Sequence, residues 1–481
     1  MNPGTAASQA SVRAEAFHQL ERPGRQAPLD PDFRPAALTH QAFRRALSDA
    51  GEAAPLVFAL ERSLASISRF ATSLLPEGLP RADDNLPCAE RLLKFLLWQV
   101  GAWRVHVAGP PRVVRYLRAC YEPDGPRAFD ARFMGEQVYG RSFTLTQAAP
   151  GDIPQARESR EPLGRHLDGC RIGFDLGATD LKISAVIDGQ PVFSQEIEWH
   201  PREQTDPAYH RDHIRAALQL AASHLPRLDA IGGSSAGVYI DNRPRVASLF
   251  RGIPPERFDQ VRDLFVDLQR ELGVPLAVVN DGEVAALAGS MSLEDNPVMG
   301  IAMGSSQAAG YVTADGSLTD WLNELAFAPV DYSARAPTEE WSGDRGCGAS
   351  YFSQQAVFRL ASTAGLAIPK DLTPARRLEF AQARLEAGDE AAVRIWKTMG
   401  VYLGYAIAHY AEFYDLRHVL LLGRCTSGAG GPLMVDEAGA VLTAEFPTLA
   451  ARLRLHLPDE KSRRVGQAIA AASLPVSRES G

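Results

Sequence analysis

Cysteine is scarce in this chain of 481 residues. The five present, Cys88, Cys120, Cys170, Cys347 and Cys425, are scattered, odd in number and never at CxxC spacing. Neither a disulfide framework nor a zinc knuckle is therefore indicated. Long hydrophobic runs are missing as well: no stretch reaches about 18 uninterrupted apolar residues, and the opening MNPGTAASQASVRAEAF has no apolar segment of the export type. Nor is there a strong excess of either charge. A net charge of −8 with 22% charged residues gives no sequence-independent attraction to nucleic acid or anionic lipid. These absences lead us to expect a soluble, cytoplasmic protein with no membrane partner.

What is present is ordinary globular material, 45% hydrophobic, in a length that calls for two or three domains. Residues 1–30 are rich in Pro, Ala, Gln and Arg and are expected to be flexible. Residues 31–165 are expected to form an accessory, mostly helical α/β extension. Helical periodicity runs through HQAFRRALSDAG, PLVFALERSLASISRFATSLL and CAERLLKFLLWQVGAW; a strand follows in WRVHVAG, then a proline-opened helix in PPRVVRYLRACYEP. The polar, turn-rich run from Ala148 to Gly169 is the expected linker.

A core begins near Cys170 with strands. RIGFD, LKISAVID and PVFSQEIEW predict a meander, and then helices and strands alternate: PAYHRDHIRAALQLAASHL, LDAIGGSSAG, PERFDQVRDLFVDLQREL, PLAVVND and GEVAALAGSMS. VMGIAMG, AGYVTADG, the long helix VRIWKTMGVYLGYAIAHYAEFY and the strand HVLLLG repeat the theme. Two α/β lobes facing each other are expected. One spans residues 170–290, joined by a C-terminal helix at 461–475, and the other residues 291–460.

The opening hairpin, RIGFDLGATDLKISAVIDG, carries chemistry. A tight turn of Gly and Thr exposes successive backbone N–H groups, which bind anionic oxygens. Asp175 sets a carboxylate beside them, suited to a hydrated Mg²⁺ that accompanies nucleotide phosphates. Thr179 adds a hydroxyl and Lys182 a positive charge. The same residue types are common turn formers, so a plain hairpin stays open on these residues alone. A P-loop does not fit: GxxxxGK[ST] is missing and no helix directly follows the turn.

DxGxTxxK at Asp175, Gly177, Thr179 and Lys182 resembles the first phosphate loop of the sugar kinase, heat-shock protein and actin superfamily. In detail the core resembles the ROK (repressor, open reading frame, kinase) sugar kinases. VNDGEVAALAG is similar to that family's NDxxxAAL segment. IAMGSSQAAGYVTADGSL is similar to its second phosphate loop, with Gly304, Ser305 and Ser306 at the Gly-Thr-Gly turn. HVLLLGRCTSGAGG falls at its adenosine loop, and EKSRRVGQAIAAASLP resembles its closing helix.

This resemblance, over about residues 170–475, implies two actin-like (ribonuclease H-like) lobes around an interlobe cleft. It implies an ATP- and Mg²⁺-dependent phosphotransferase acting on a hydroxyl of a sugar or sugar-like compound. Asp281 would be the base, and Asn280 and Glu324 would hold the acceptor. Gly177, Thr179, Lys182, Gly304, Ser305 and Ser306 would cradle phosphates, Gly423, Gly430 and Gly431 would admit the adenosine, and Asp175 would hold Mg²⁺ through water. A homodimer is also implied. On its residues alone, Asn280-Asp281-Gly282 suits a helix cap equally well.

Several family elements are altered. The Glu-x-Gly-His element keeps Glu324 but has Phe327 at the His position, and only Cys347 remains of a three-cysteine cluster. One thiol cannot build a tetrahedral site, so no structural zinc is expected. SSAGVYIDNRPRVASLFRGIP keeps Ser234, Ser235 and Gly237 without the family's Pro-Gly-x-x-Asp. Arg245 and Arg251 are candidates for contact with an anionic group on the substrate, or are plain surface arginines. Two alternatives stand beside the kinase: a nucleotide- or sugar-binding sensor without useful turnover, and a ROK-type repressor. Against the repressor, residues 1–165 carry only about +3 net charge, with arginines mixed among acids, so no nucleic-acid partner is expected.

Overall fold

The run PLVFALERSLASISRFATSLL is a β-hairpin, not a helix. In the computed structural model, which describes residues 15–158, 163–457 and 460–477, β1 (Ala54–Glu61) and β2 (Ile67–Leu74) pair antiparallel. Leu56, Phe58 and Leu60 are buried on one face, and Ala59, with Val57 beside it, packs on the other, so the strand shows no alternation. Leu64 and Ala65, both left-handed, turn the chain between them. β3 (Arg104–Ala108) pairs antiparallel with β1, and β4 (Thr144–Gln147) pairs parallel with β3. The sheet order is β2-β1-β3-β4. Helix Asn85–Gln99 is buried along its whole length. Its interior Lys94 is neutralised by Asp130 at 2.9 Å, and Trp98 Nε1 donates to the same carboxylate oxygen at 2.7 Å. A buried charge needs that kind of pairing. Of the described residues, 15–21, 39–158 and 340–343 form one compact unit with these elements.

A second unit comprises, of the described residues, 22–38, 163–339, 344–457 and 460–477 and contains both sheets of the core. β5 (Cys170–Leu176), β6 (Asp180–Ile187) and β7 (Gln190–Glu198) make an antiparallel meander. β8 (Ala230–Ser235) lies parallel to β5. A small hairpin of β9 (Val238–Ile240) and β10 (Arg243–Val246) follows, and then β11 (Leu276–Asn280) adds parallel to β8. The order is β11-β8-β5-β6-β7. PERFDQVRDLFVDLQREL, read as one helix, breaks at Asp263 into Asp259–Arg262 and Leu264–Leu272.

The second sheet holds β12 (Val298–Met303), β13 (Gln307–Val312), β14 (His418–Leu422) and β15 (Arg454–His456), in the order β13-β12-β14-β15. It repeats the first in outline, with β12 and β13 antiparallel and the remaining pairs parallel. The third strand of its meander is reduced, among the described residues, to a bridge between Val312 and Leu318. Helix Glu460–Ala472 returns to the first sheet. It sits so close that a Cβ on Gly173 or Gly232, register partners on β5 and β8, would overlap its carbonyl oxygens.

Of residues 1–30, expected to be flexible, 1–14 lie outside the described residues, while 22–30 pack into the second unit. Ala27 and Leu29 are buried. The Leu29 amide donates to Thr398 Oγ1 at 3.2 Å, and Tyr402 Oη donates to Asp30 at 2.5 Å. Phe33 stands edge-on to Tyr402 with centroids 4.7 Å apart. Two large apolar side chains and an acid are enough to fix a segment whose composition looks loose. Within the expected linker, residues 159–162 lie outside the described residues. No helix among the described residues is long and apolar enough to cross a membrane.

Candidate active site

Strand register brings the chemical residues to one edge. β5, β8 and β11 run parallel, with Asp175 opposite Ser234 and Ser235 opposite Asn280. Asp175, Ser234, Ser235 and Asp281 therefore emerge together at the carboxyl ends of the strands, where open α/β sheets bind ligands. In the second sheet Ala302 is opposite Leu422, so the Gly304–Ser306 turn and Gly423 emerge together as well. Both edges line a single cavity of about 450 Å³. Its walls include Asp175, Gly177, Ser234, Ser235 and Asp281 from the first sheet, and Ala302, Ser305, Leu422 and Gly423 from the second.

The first turn is fixed by its own residues. The Gly177 amide donates to the Asp180 carbonyl at 2.8 Å, closing the loop between β5 and β6. A Cβ on Gly177 would sit 2.7 Å from that oxygen, so the turn needs glycine. Trp199, wholly buried, reaches across from the end of β7 to steady it: Nε1 donates to the Gly177 carbonyl at 3.1 Å, and the backbone amide donates to Thr179 O at 3.1 Å. Ser234 Oγ donates to Asp175 Oδ1 at 2.6 Å. Lys182, the cross-strand partner of Asp175, holds its ammonium 3.7 Å from Asp175 Oδ2 and 2.9 Å from Asp180. The seven-residue spacing of the motif is thus a hairpin register. Thr179 Oγ1 donates to Asp180 Oδ1 at 3.1 Å, and neither Thr179 nor Lys182 lines the cavity.

On the second side, Ser305 and Ser306 are exposed at the tip of the β12–β13 turn, which is closed by the Gly304 amide donating to Ser306 O at 3.0 Å. Gly423 has φ +92, and a Cβ there would meet the Met303 carbonyl oxygen at 2.5 Å, so β14 can leave the sheet at that point only through glycine.

Three expected site residues do other work. Asn280 caps helix Asp281–Leu293: its Oδ1 accepts from the Gly282 amide and its Nδ2 donates to Gly237 O, both at 2.8 Å. With the amide spent on backbone, it does not line the cavity. Gly430 and Gly431 open helix Gly430–Glu445 against Trp396 and the Thr426 carbonyl, where a Cβ would overlap them. They are packing glycines, away from the cavity lining.

The acids are electrostatically linked. Burial, with the Asp175 charge beside it, pushes the Asp281 carboxyl up to about 6. Burial and the Asp281 charge in turn push Glu324 up to about 7. Asp281 thus feels Asp175, and Glu324 feels Asp281, although Glu324 itself stands outside the cavity lining. Like charges held this close favour a proton or a cation among them.

Sequence reasoning missed Arg202, Ser248 and Gln467, which also line the cavity. They arrive from a short turn after β7, a turn after β10 and the C-terminal helix. His210, wholly buried, pins the first two turns together: Nε2 lies 3.1 Å from both Pro201 O and Leu249 O. Burial holds its pKa down, so the ring is neutral and Nε2 carries the proton shared by the two carbonyls. Arg245 and Arg251 do not reach the cavity lining.

Neither a family model nor a curated protein matches the sequence. Solved structures do. A ROK hexokinase from Thermus thermophilus superposes with TM-score 0.50 at 18% identity, covering 63% of this chain and 97% of that one. The core has the ROK fold. A ROK family transcriptional regulator, a homolog of the E. coli MLC protein, superposes equally well, with TM-score 0.50, 19% identity, and 64% and 79% coverage. A ROK family glucokinase from Streptomyces griseus, in complex with glucose and AMPPNP, gives 0.46 at 18% identity, covering 63% and 99%. The architecture is α/β, with two sheets that share the fold of the hexokinase, and the cavity lies between those two sheets. A hexokinase and a regulator share that fold, so function rests on the site itself.

Proposed function

We propose that the protein transfers a phosphoryl group from ATP to a hydroxyl of a sugar or sugar-like compound. One observation carries this reading: two carboxylates, Asp175 and Asp281, share a cavity with glycine and serine turns from the facing sheet. Phosphoryl transfer needs this kind of arrangement, with donors to hold phosphates, a cation to offset charge and a base to orient the acceptor. Asp281 takes the acceptor proton. The turns at Gly177 and at Gly304–Ser306 offer amides and hydroxyls to phosphate oxygens, and Gly423 leaves room for the nucleoside.

Asp175 suits Mg²⁺. Ser234 engages Oδ1, while Oδ2 has, among the described residues, only the Lys182 ammonium at 3.7 Å, so one hard oxygen is left beside the phosphate turn. When bound, the metal would offset phosphate charge; Asp175 would hold it, and Ser234 keeps that carboxylate oriented. Glu324, coupled to Asp281, is the acceptor-side acid. Asn280 acts indirectly by capping the helix that begins at Asp281.

A coupled ADP-release assay with Mg-ATP over a panel of polyols and sugars is expected to show turnover with at least one acceptor. Tight nucleotide binding with no ADP release from any of them would favour a sensor. A second variant examines the phosphate turn. Trp199→Phe removes the donor to Gly177 O, and a buried hydrogen bond is worth about 1 kcal/mol. The KM for ATP is expected to rise roughly five-fold, with the KM for the acceptor nearly unchanged. For a DNA-bound regulator the accessory unit offers little: helix Asn85–Gln99 is buried throughout. On helix Pro111–Cys120, Arg112 is paired with Asp83 and Arg118 donates to Leu145 O.

A further inference from the structure

Among the described residues that line the cavity, Arg202 is the only cation. Its Nη2 donates to Ser248 Oγ at 3.1 Å, and no carboxylate among the described residues pairs with it. Both residues are exposed, and the guanidinium is not spent on Asp175 or Asp281, which line the same cavity. The Arg202 turn is fixed by its surroundings. Pro201 is buried, and its carbonyl is tied through His210 to the carbonyl of Leu249, the neighbour of Ser248. Gly252 closes the same corner, where a Cβ would lie 2.5 Å from Gln204 O and 2.8 Å from Arg202 O. The backbone is thus fixed tightly around one charged side chain whose head group is left open to the cavity.

We infer that Arg202, with Ser248, recognises a negatively charged group, carboxylate or phosphate, on the acceptor, so that the substrate is an acidic sugar-like compound and not a neutral hexose. This rests on the phosphotransfer reading of the cavity for its second half only; the anion site itself rests on the cavity's geometry. An acidic acceptor approaching two carboxylates needs a compensating cation, and a guanidinium with a hydroxyl beside it supplies a planar, multi-donor match to either anion. Arg202 and Ser248 come from connections of the first sheet, the sheet that also carries Asp281 to the cavity. The site is assigned to the acceptor that Asp281 would deprotonate, and the KM for ATP measured below separates this from a nucleotide contact.

The test pairs neutral sugars with their charged derivatives: glucose against glucuronate, gluconate and glucose 6-phosphate. Binding is followed by thermal shift of the full chain without nucleotide, and turnover by ADP release. At least one charged compound is expected to bind ten-fold or more tightly than glucose, and the carboxylate and phosphate arms identify which anion is preferred. Arg202→Met is expected to erase that preference, Arg202→Lys to keep part of it, and the KM for ATP to stay within two-fold in both. Equal binding of neutral and charged compounds overturns the inference, as does a preference that survives Arg202→Met. A rise in the KM for ATP without loss of acceptor preference also overturns it, by assigning the guanidinium to the nucleotide. The two readings fail separately. Arg202-dependent binding of a charged sugar without ADP release removes phosphotransfer and keeps the anion site, whereas ADP release with glucose alone does the reverse.

Discussion

Asp281→Asn is expected to remove turnover and, above pH 6, to make the protein slightly more stable. The first half follows from the base assignment, because general-base assistance is worth about 10²–10⁴ in rate, and an amide cannot take the acceptor proton. The second half follows from charge. Burial and Asp175 lift the Asp281 carboxyl to about 6, above the roughly 3.9 of an unfolded carboxylate. Between those values the folded state holds a proton that the unfolded state has lost. The group's contribution to stability therefore falls as pH rises from about 4 to 6, and its penalty is complete above 6. Asparagine carries no charge, and its oxygen can still accept from the Gly282 amide as Asp281 Oδ1 does at 2.9 Å. Relief on the order of 2 kcal/mol at pH 8 is expected after allowance for partial exposure, and none below pH 4. Activity runs the other way: the wild-type rate should drop about ten-fold per pH unit below 6, as the base protonates. Melting curves at pH 4 and pH 8, beside ADP release at the same values, read both halves. A variant that keeps a tenth of wild-type turnover, or that melts lower than wild type at pH 8, would remove Asp281 from the role.

What sequence made legible here is what neighbouring residues decide together. Asp175, Gly177 and Lys182 lie within one hairpin, so their spacing already encodes a closed turn and a cross-strand pair. Asp281 was reachable because an apolar strand ends in it and a helix begins. Asn280 shows the limit of the same logic: cap and ligand are written with the same residue, and only the position of Gly237 O, far off in sequence, shows the amide to be spent. Gly430 and Gly431 repeat the point, since a glycine left bare for a ligand and one left bare for a tryptophan look alike in sequence. Arg202, Ser248 and Gln467 were out of reach because two separate connections and the C-terminal helix meet at the cavity. The first hairpin was misread for another reason. Val57 and Ala59 pack on the second face of β1 with Ala108 and Ile153, so both faces of the strand are covered and it shows no polar alternation. Residues 22–30 misled by composition, since a segment poor in apolar residues can still be tethered by Leu29, Asp30 and Phe33.

Gly232→Ala is expected to cost more stability than any other single methyl group added to the core. β8 is central, with β5 on one side and β11 on the other, both parallel to it and paired along its length. It cannot move away from a new Cβ without breaking both ladders. The Ala471 carbonyl oxygen occupies the position the Cβ would take, and it belongs to helix backbone that cannot rotate aside. The helix must therefore lift, exposing Ala470, Ala471 and Leu474, all fully buried in the native structure. Overpacking typically costs about 1–3 kcal/mol; with both surfaces backbone, a loss of about 3 kcal/mol or more is expected. Because helix Glu460–Ala472 also brings Gln467 to the cavity wall, nucleotide-dependent stabilisation should weaken in step. Gly173→Ala faces the same helix at the Ala468 carbonyl. Once the helix has lifted for one methyl group the second meets less resistance, so the double variant should lose less than the two single losses added. Gly439→Ala is the control: it lies within helix Gly430–Glu445 with nothing within 4 Å of its would-be Cβ. That substitution should raise stability by up to about 1 kcal/mol from helix propensity alone. Urea unfolding of the four variants separates close backbone packing from a general intolerance of alanine. If Gly232→Ala proves as benign as Gly439→Ala, the docking of the last helix on β5 and β8 cannot be as tight as described, and Gln467 loses its place in the cavity wall with it.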